Sequence, residues 1–147
     1  MKPSELRIGS IIQCALNEEL RIPDGIPRVV SAILPFGEVI VDLSPTNPQT
    51  ITCPIKHCTG IPLDAEWLER CNFYKVNHVH GYSFYTFNRE DKANRGLVDL
   101  DINENSTTTG GRTINHIKYL HQLQNVFYAL NGIEMPITHT ELTKKEI

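Results

Sequence analysis

The first sixty residues read as short apolar, β-branched runs separated by polar turns. Arg7–Cys14 is one such run and Arg28–Leu34 (RVVSAIL) a second. Pro35-Phe36-Gly37 punctuates the chain as a turn, and Glu38–Leu43 (EVIVDL) then alternates, with Val39, Val41 and Leu43 on one face. SPTNPQ breaks the pattern, and Thr50–Cys53 supplies a fourth run. Between the first two runs, NEELRIPDGIP with its Pro-Asp-Gly is a loop or a wide hairpin connection. Turns about every ten residues predict a small curled antiparallel sheet or SH3-like barrel over residues 1–60.

The period changes in PLDAEWLERCNF, residues 62 to 73. Asp64 is placed to cap a helix by accepting from the backbone N–H two or three residues on, and Trp67, Leu68 and Cys71 share a face. Asn72 stands where a left-handed C-terminal cap belongs, because Asn tolerates positive φ better than most residues. Tyr74–His80, Tyr82–Asn88 and Leu97–Ile102 follow as an antiparallel three-strand sheet. NENSTTTGGR, residues 103 to 112, is predicted to be a polar, Gly-containing loop of the kind that is mobile or binds something. A long helix over 114–131 is predicted next, capped by Thr113 and ended by Gly132, with IEMPIT as a short edge strand. The fold class is therefore α+β. Residues 1–60 form a β-rich lobe, 61–140 an α+β lobe with the long helix packed on its sheet, and 141–147 a flexible charged tail.

On a helical wheel, Leu120, Leu123, Phe127 and Leu130 make a narrow stripe flanked by Tyr119 and Val126. Lys118, Gln122, Asn125 and Ala129 point away from it, as solvent surface. Ile117, His121, Gln124 and Tyr128 form a second ridge along one edge of the stripe, and His116 points into the stripe itself. A ridge of this kind is either a half-buried boundary or the wall of a groove.

Composition narrows the classes. The 147 residues are 40% hydrophobic and 21% charged, values of an ordinary globular chain, with a net charge of −3. That balance argues against a broad electrostatic grip on nucleic acid. No apolar run reaches signal-peptide or membrane-spanning length, so cytoplasm is the default expectation and the four cysteines are expected to be reduced thiols.

Three constellations could carry chemistry. CPIKHC and HVH offer Cys53, His57, Cys58, His78 and His80 as zinc ligands, with Cys71 lying between them. The C-x4-C spacing is weaker than C-x2-C, so cysteines in a small core and histidines scattered on strands are the favoured reading and no cofactor is expected. DLDINENS resembles the start of a calcium loop but has Glu104 and Gly110 where that loop needs Gly and Glu. The aromatics Phe73, Tyr74, Tyr82, Phe84, Tyr85 and Phe87 are concentrated in two strands whose outer face could stack nucleobases. No nucleophile elbow, P-loop or dinucleotide fingerprint occurs.

MKPSELRIGS, IPLDAEWLERCNF and IKYLHQLQNVFYALNG together resemble a family of small proteins, of unknown activity, encoded by phages, prophages and mobile elements of gut bacteria. The resemblance covers roughly a quarter of the chain and transfers no catalytic or binding residue. It implies a non-enzymatic accessory protein that acts by stoichiometric binding of a host protein or a small ligand such as a nucleotide. In that version His121, Gln124 and Tyr128 line a pocket at an oligomer interface with the loop residues Gly110, Gly111 and Arg112. A nucleic-acid-binding module using the barrel or aromatic sheet, and a metal-dependent hydrolase using His57, His78 and His80, are the competing expectations.

Overall fold

The computed structural model describes residues 1–16, 25–44, 47–77, 83–87, 99–101, 106–109, 112–115 and 117–138. The fold is α+β and divides into two compact units, Met1–Ile61 and Pro62–Thr138. Among the described residues no helix is long and apolar enough to cross a membrane.

The first unit is a five-stranded antiparallel sheet of β1 (Ile11–Cys14), β2 (Arg28–Leu34), β3 (Glu38–Ser44), β4 (Asn47–Pro54) and β5 (Cys58–Gly60). Its spatial order is β4-β3-β2-β1-β5. The last strand is too short to show a period in the sequence. What places it is a single 3-10 turn, Ile55–His57, directly after β4. Pro54 cannot donate to a ladder, so β4 ends there, and Ile55 N–H bonds instead to Gly37 O at 2.8 Å. The chain then reverses, and Cys58 begins β5 against β1. Ile12, Cys14, Val30, Val39, Val41, Cys53, Ile55 and Cys58 cluster as the core, with Leu6.

Between β2 and β3 the chain turns through Pro35, Phe36 and Gly37, with φ of 69° at Phe36 and 80° at Gly37. A positive φ is the left-handed region, a conformation that residues with a Cβ rarely adopt. Phe36 occupies it with a fully exposed side chain.

The second unit holds α1 (Ala65–Arg70), β6 (Phe73–Asn77), β7 (Ser83–Phe87), β8 (Asp99–Asp101), β9 (Ser106–Thr109), β10 (Arg112–Asn115) and α2 (Leu120–Asn131). The caps of α1 are those predicted. Asp64 Oδ1 accepts from Trp67 N–H at 2.8 Å, and Asn72 adopts φ of 67° just past the helix. Gly132 likewise ends α2 at φ of 70°, its N–H bonding to Tyr128 O at 2.8 Å.

Other expectations are corrected here. The sheet has five strands, in order β10-β9-β8-β7-β6, rather than three. Much of the expected 103–112 loop is strand, with Ser106–Thr109 paired to Arg112–Asn115. Its threonines are β-branched and fit a pleated surface, which their polarity disguised. Thr113 lies within β10, and the helix begins at Leu120 rather than 114. Its start is set by Gln122, whose Oε1 accepts from Lys118 N–H at 2.8 Å and Tyr119 N–H at 3.1 Å. Leu120, Leu123 and Phe127 are fully buried as the wheel required, whereas Leu130 is exposed. IEMPIT forms no strand; Thr138 N–H donates to Arg70 O at 3.0 Å instead.

Candidate metal centre

The densest group of chemistry-bearing side chains among the described residues is Cys14, Cys53 and Cys58, whose sulfurs all lie within 4.8 Å of one another. Cys14 Sγ is 3.6 Å from Cys58 Sγ, and Cys58 Sγ is 3.8 Å from Cys53 Sγ. Each residue is almost wholly buried.

The backbone explains the convergence. Cys14 shares its side of β1 with Ile12, two residues back, so both face the core. Cys53 sits opposite Val39 in the β3–β4 ladder, on the interior side. The 3-10 turn then carries the chain from Cys53 to Cys58, which pairs with Cys14 across β1 and β5. Two carbonyl contacts fix the sulfurs further, with Pro54 O 3.4 Å from Cys58 Sγ and 3.6 Å from Cys53 Sγ.

Arg28 is the charged neighbour. It lies on the interior side of β2, opposite Ile12, and is 1% exposed. Its Nε donates to Leu43 O at 3.0 Å and its Nη1 to Ile26 O at 3.4 Å. The bond with Cys58, and then burial, hold the Cys14 thiol far above its ordinary range. Burial, and then the nearby Cys14, push Cys53 up to about 11. The Arg28 guanidinium works against both shifts by favouring the thiolate. Without a ligand Cys14 and Cys53 are therefore neutral thiols; with a cation at the centre of the group, the positive Arg28 would help carry the thiolate charge.

The predicted site residues fare differently. Cys53 and Cys58 are brought together, and Cys14, missed in the sequence, completes the group. His57 sits on the 3-10 turn, where its carbonyl accepts from Ala15 N–H at 2.9 Å, and its ring is not among the convergent ligands. His78, His80, Gly110 and Gly111 lie outside the described residues, as does the Arg112 side chain. On α2 the ridge splits, because His121 and Gln124 are buried while Tyr128 is 45% exposed. His121 stacks on Tyr119, with ring centres 5.8 Å apart. The signal for Cys14 was available in IIQC, where it shares the strand face of Ile12, but its partners are some 40 residues away and no local pattern names them.

No protein-family model, curated protein or solved structure matches the chain.

Proposed function

We propose that the chain acts by stoichiometric binding rather than by catalysis, and that its ligand is a thiophilic d10 metal ion held by Cys14, Cys53 and Cys58. The sulfur triangle carries this reading. Four sulfurs around zinc at ~2.3 Å stand ~3.8 Å apart, close to the two short separations observed. An ion in the plane of these three sulfurs would sit no more than about 2.4 Å from each, a thiolate–metal distance reached without moving the backbone.

Zinc takes four ligands, and no fourth His, Cys, Asp or Glu joins the group among the described residues. Three soft, buried thiolates suit monovalent copper better. The neighbouring Arg28 offsets part of the negative charge such a complex carries. A reducing compartment, the cytoplasm expected from the sequence, would keep the thiols ready to bind.

The test is anaerobic titration of reduced protein with Cu(I) against a competing chelator. One ion per chain is expected, lost in Cys14→Ala, Cys53→Ala and Cys58→Ala and retained in Cys71→Ala. Equal uptake by all four variants would overturn the reading.

As the finer description of the first unit we take an SH3-like barrel. The strand order β4-β3-β2-β1-β5, with one 3-10 turn before the closing strand, supports it. On this description the cluster lies inside the barrel core and the metal would serve partly as a structural clasp.

A further inference from the structure

The Cys14–Cys58 pair has a geometry that a metal site does not require. Ala15 N–H donates to His57 O, one residue outside the pair on each strand. Cys14 and Cys58 therefore form a non-hydrogen-bonded antiparallel pair, the kind in which the two Cα atoms stand ~4.5 Å apart. That separation is at the short end of the range a disulfide spans. Their sulfurs, already 3.6 Å apart, need only rotate toward each other to bond. Cys53 also lies 3.8 Å from Cys58, but it projects from β4, which does not pair with β5.

We propose that Cys14 and Cys58 form a reversible cross-strand disulfide under oxidation by a hydroperoxide, and that this bond excludes the metal. The exclusion rests on the metal reading given above; the disulfide itself does not. In the first step one sulfur of the pair attacks the peroxide oxygen as its thiol gives up its proton. The O–O bond breaks, a sulfenic acid forms and hydroxide leaves, taking up that proton as water. The second sulfur then attacks the sulfenic sulfur as its own thiol proton is lost, the S–S bond forms and hydroxide leaves with that proton as the second water. Two thiols and one hydrogen peroxide give one disulfide and two waters, with the two electrons passing from sulfur to oxygen. Peroxide is small enough to reach buried sulfurs that a bulky disulfide reagent cannot.

Binding and oxidation compete for the same sulfurs. With Cys14 and Cys58 joined, Cys53 is the single remaining thiol of the triangle, and one thiolate is too few to hold the ion. Conversely, a bound ion occupies the lone pairs that attack peroxide. The cluster thus has two exclusive states, metal-loaded and disulfide-bonded. A small dithiol reductant would return the second to the first.

The experiment treats full-length, reduced, metal-free protein with hydrogen peroxide. Remaining thiols are blocked under denaturing conditions and the digest is mapped by mass spectrometry. For the metal-free form a fall from four free thiols to two is expected, with Cys14 and Cys58 in one linked peptide pair, and with copper uptake restored by dithiothreitol. Cys53→Ala should still form the link yet bind no metal. Cys14→Ala should do neither. Oxidation that yields only sulfinic acid, or a link involving Cys71, would overturn the disulfide. A linked protein that still takes up one copper would overturn the exclusion. Formation of the link in a protein that never binds copper would leave the disulfide standing and remove the metal reading alone.

Discussion

Cys14 and Cys58 face each other across β1 and β5 with their sulfurs 3.6 Å apart in the core of the first unit. The bond to Cys58, and then burial, favour the neutral Cys14 thiol. Cys14 is held far above its usual range, Cys53 is raised to about 11, and burial in the second unit lifts Cys71 to about 12. In the unfolded chain these groups ionise near 9.0. Above that pH the unfolded state releases protons the folded state keeps, so stability is complete below about pH 8.5 and falls as pH climbs through 9 toward 11 and 12. Each unit of separation is worth about 1.4 kcal/mol per group. Urea midpoints should therefore be flat from pH 7 to 8.5 and drop steeply by pH 10.5. A midpoint unchanged across that interval would show that the thiols are not buried and neutral.

The same protons set the metal's pH dependence. Three thiols must lose their protons to ligate, so apparent copper affinity should rise with pH throughout the range 6 to 8.5, and uptake should release protons into weakly buffered solution. Affinity independent of pH would mean that the ion sits elsewhere. Arg28→Met, which keeps the apolar stem and removes the charge favouring the thiolates, should weaken copper binding several-fold at fixed pH.

Phe36 holds a positive φ with its ring in solvent, so it contributes strain and no packing. Phe36→Gly should raise stability by roughly 1 kcal/mol, because glycine adopts that φ without steric cost. The gain is read as an increase in urea midpoint with an unchanged slope. A loss instead would mean that the ring makes contacts in solution.

Local chemistry was legible in the sequence and long-range pairing was not. Asp64, Asn72 and Gly132 act within four residues of themselves, and each occupies the cap that its side chain or lack of one predicted. The β2 boundaries, Arg28–Leu34, follow from a β-branched run between turns. β9 and β10 were hidden because STTT and RTIN lack the apolar alternation of a half-buried strand, and their partnership comes from neighbouring strands. The thiol centre was half visible. CPIKHC offers Cys53 and Cys58, but spacing alone groups histidines with them. The third ligand arrives from β1 through a register that exists only once the sheet has formed.

The α2 face gives a paired prediction. Phe127 is fully buried, whereas Leu130, on the same predicted stripe, is 39% exposed because it belongs to the last turn before Gly132. Phe127→Ala should cost about 3–5 kcal/mol, and Phe127→Asp should unfold the protein by placing a charge in that space. Leu130→Ala should cost under about 1 kcal/mol. Thermal melts of the three variants distinguish these outcomes, and a cooperatively melting Phe127→Asp would refute the burial of this face.

Gln122 decides where the last helix begins. Read from the wheel it was plain solvent surface, yet its side-chain oxygen accepts from both Lys118 and Tyr119 N–H. These donors precede the first turn and have no carbonyl four residues back inside the helix to bond. Tyr119 holds an extended backbone, φ −124° and ψ 151°, as an N-terminal cap residue should, but its own side chain offers no short oxygen to the turn. Gln122 therefore supplies the reciprocal half of a capping box alone. Gln122→Ala should cost about 1 kcal/mol and speed hydrogen exchange at Lys118 and Tyr119 before it affects residues deeper in α2. Gln122→Glu keeps the acceptor and adds a charge that the helix N-terminus favours, so it should match or exceed the parent in stability. Equal exchange rates in the parent and Gln122→Ala would show that the helix start is held by something else.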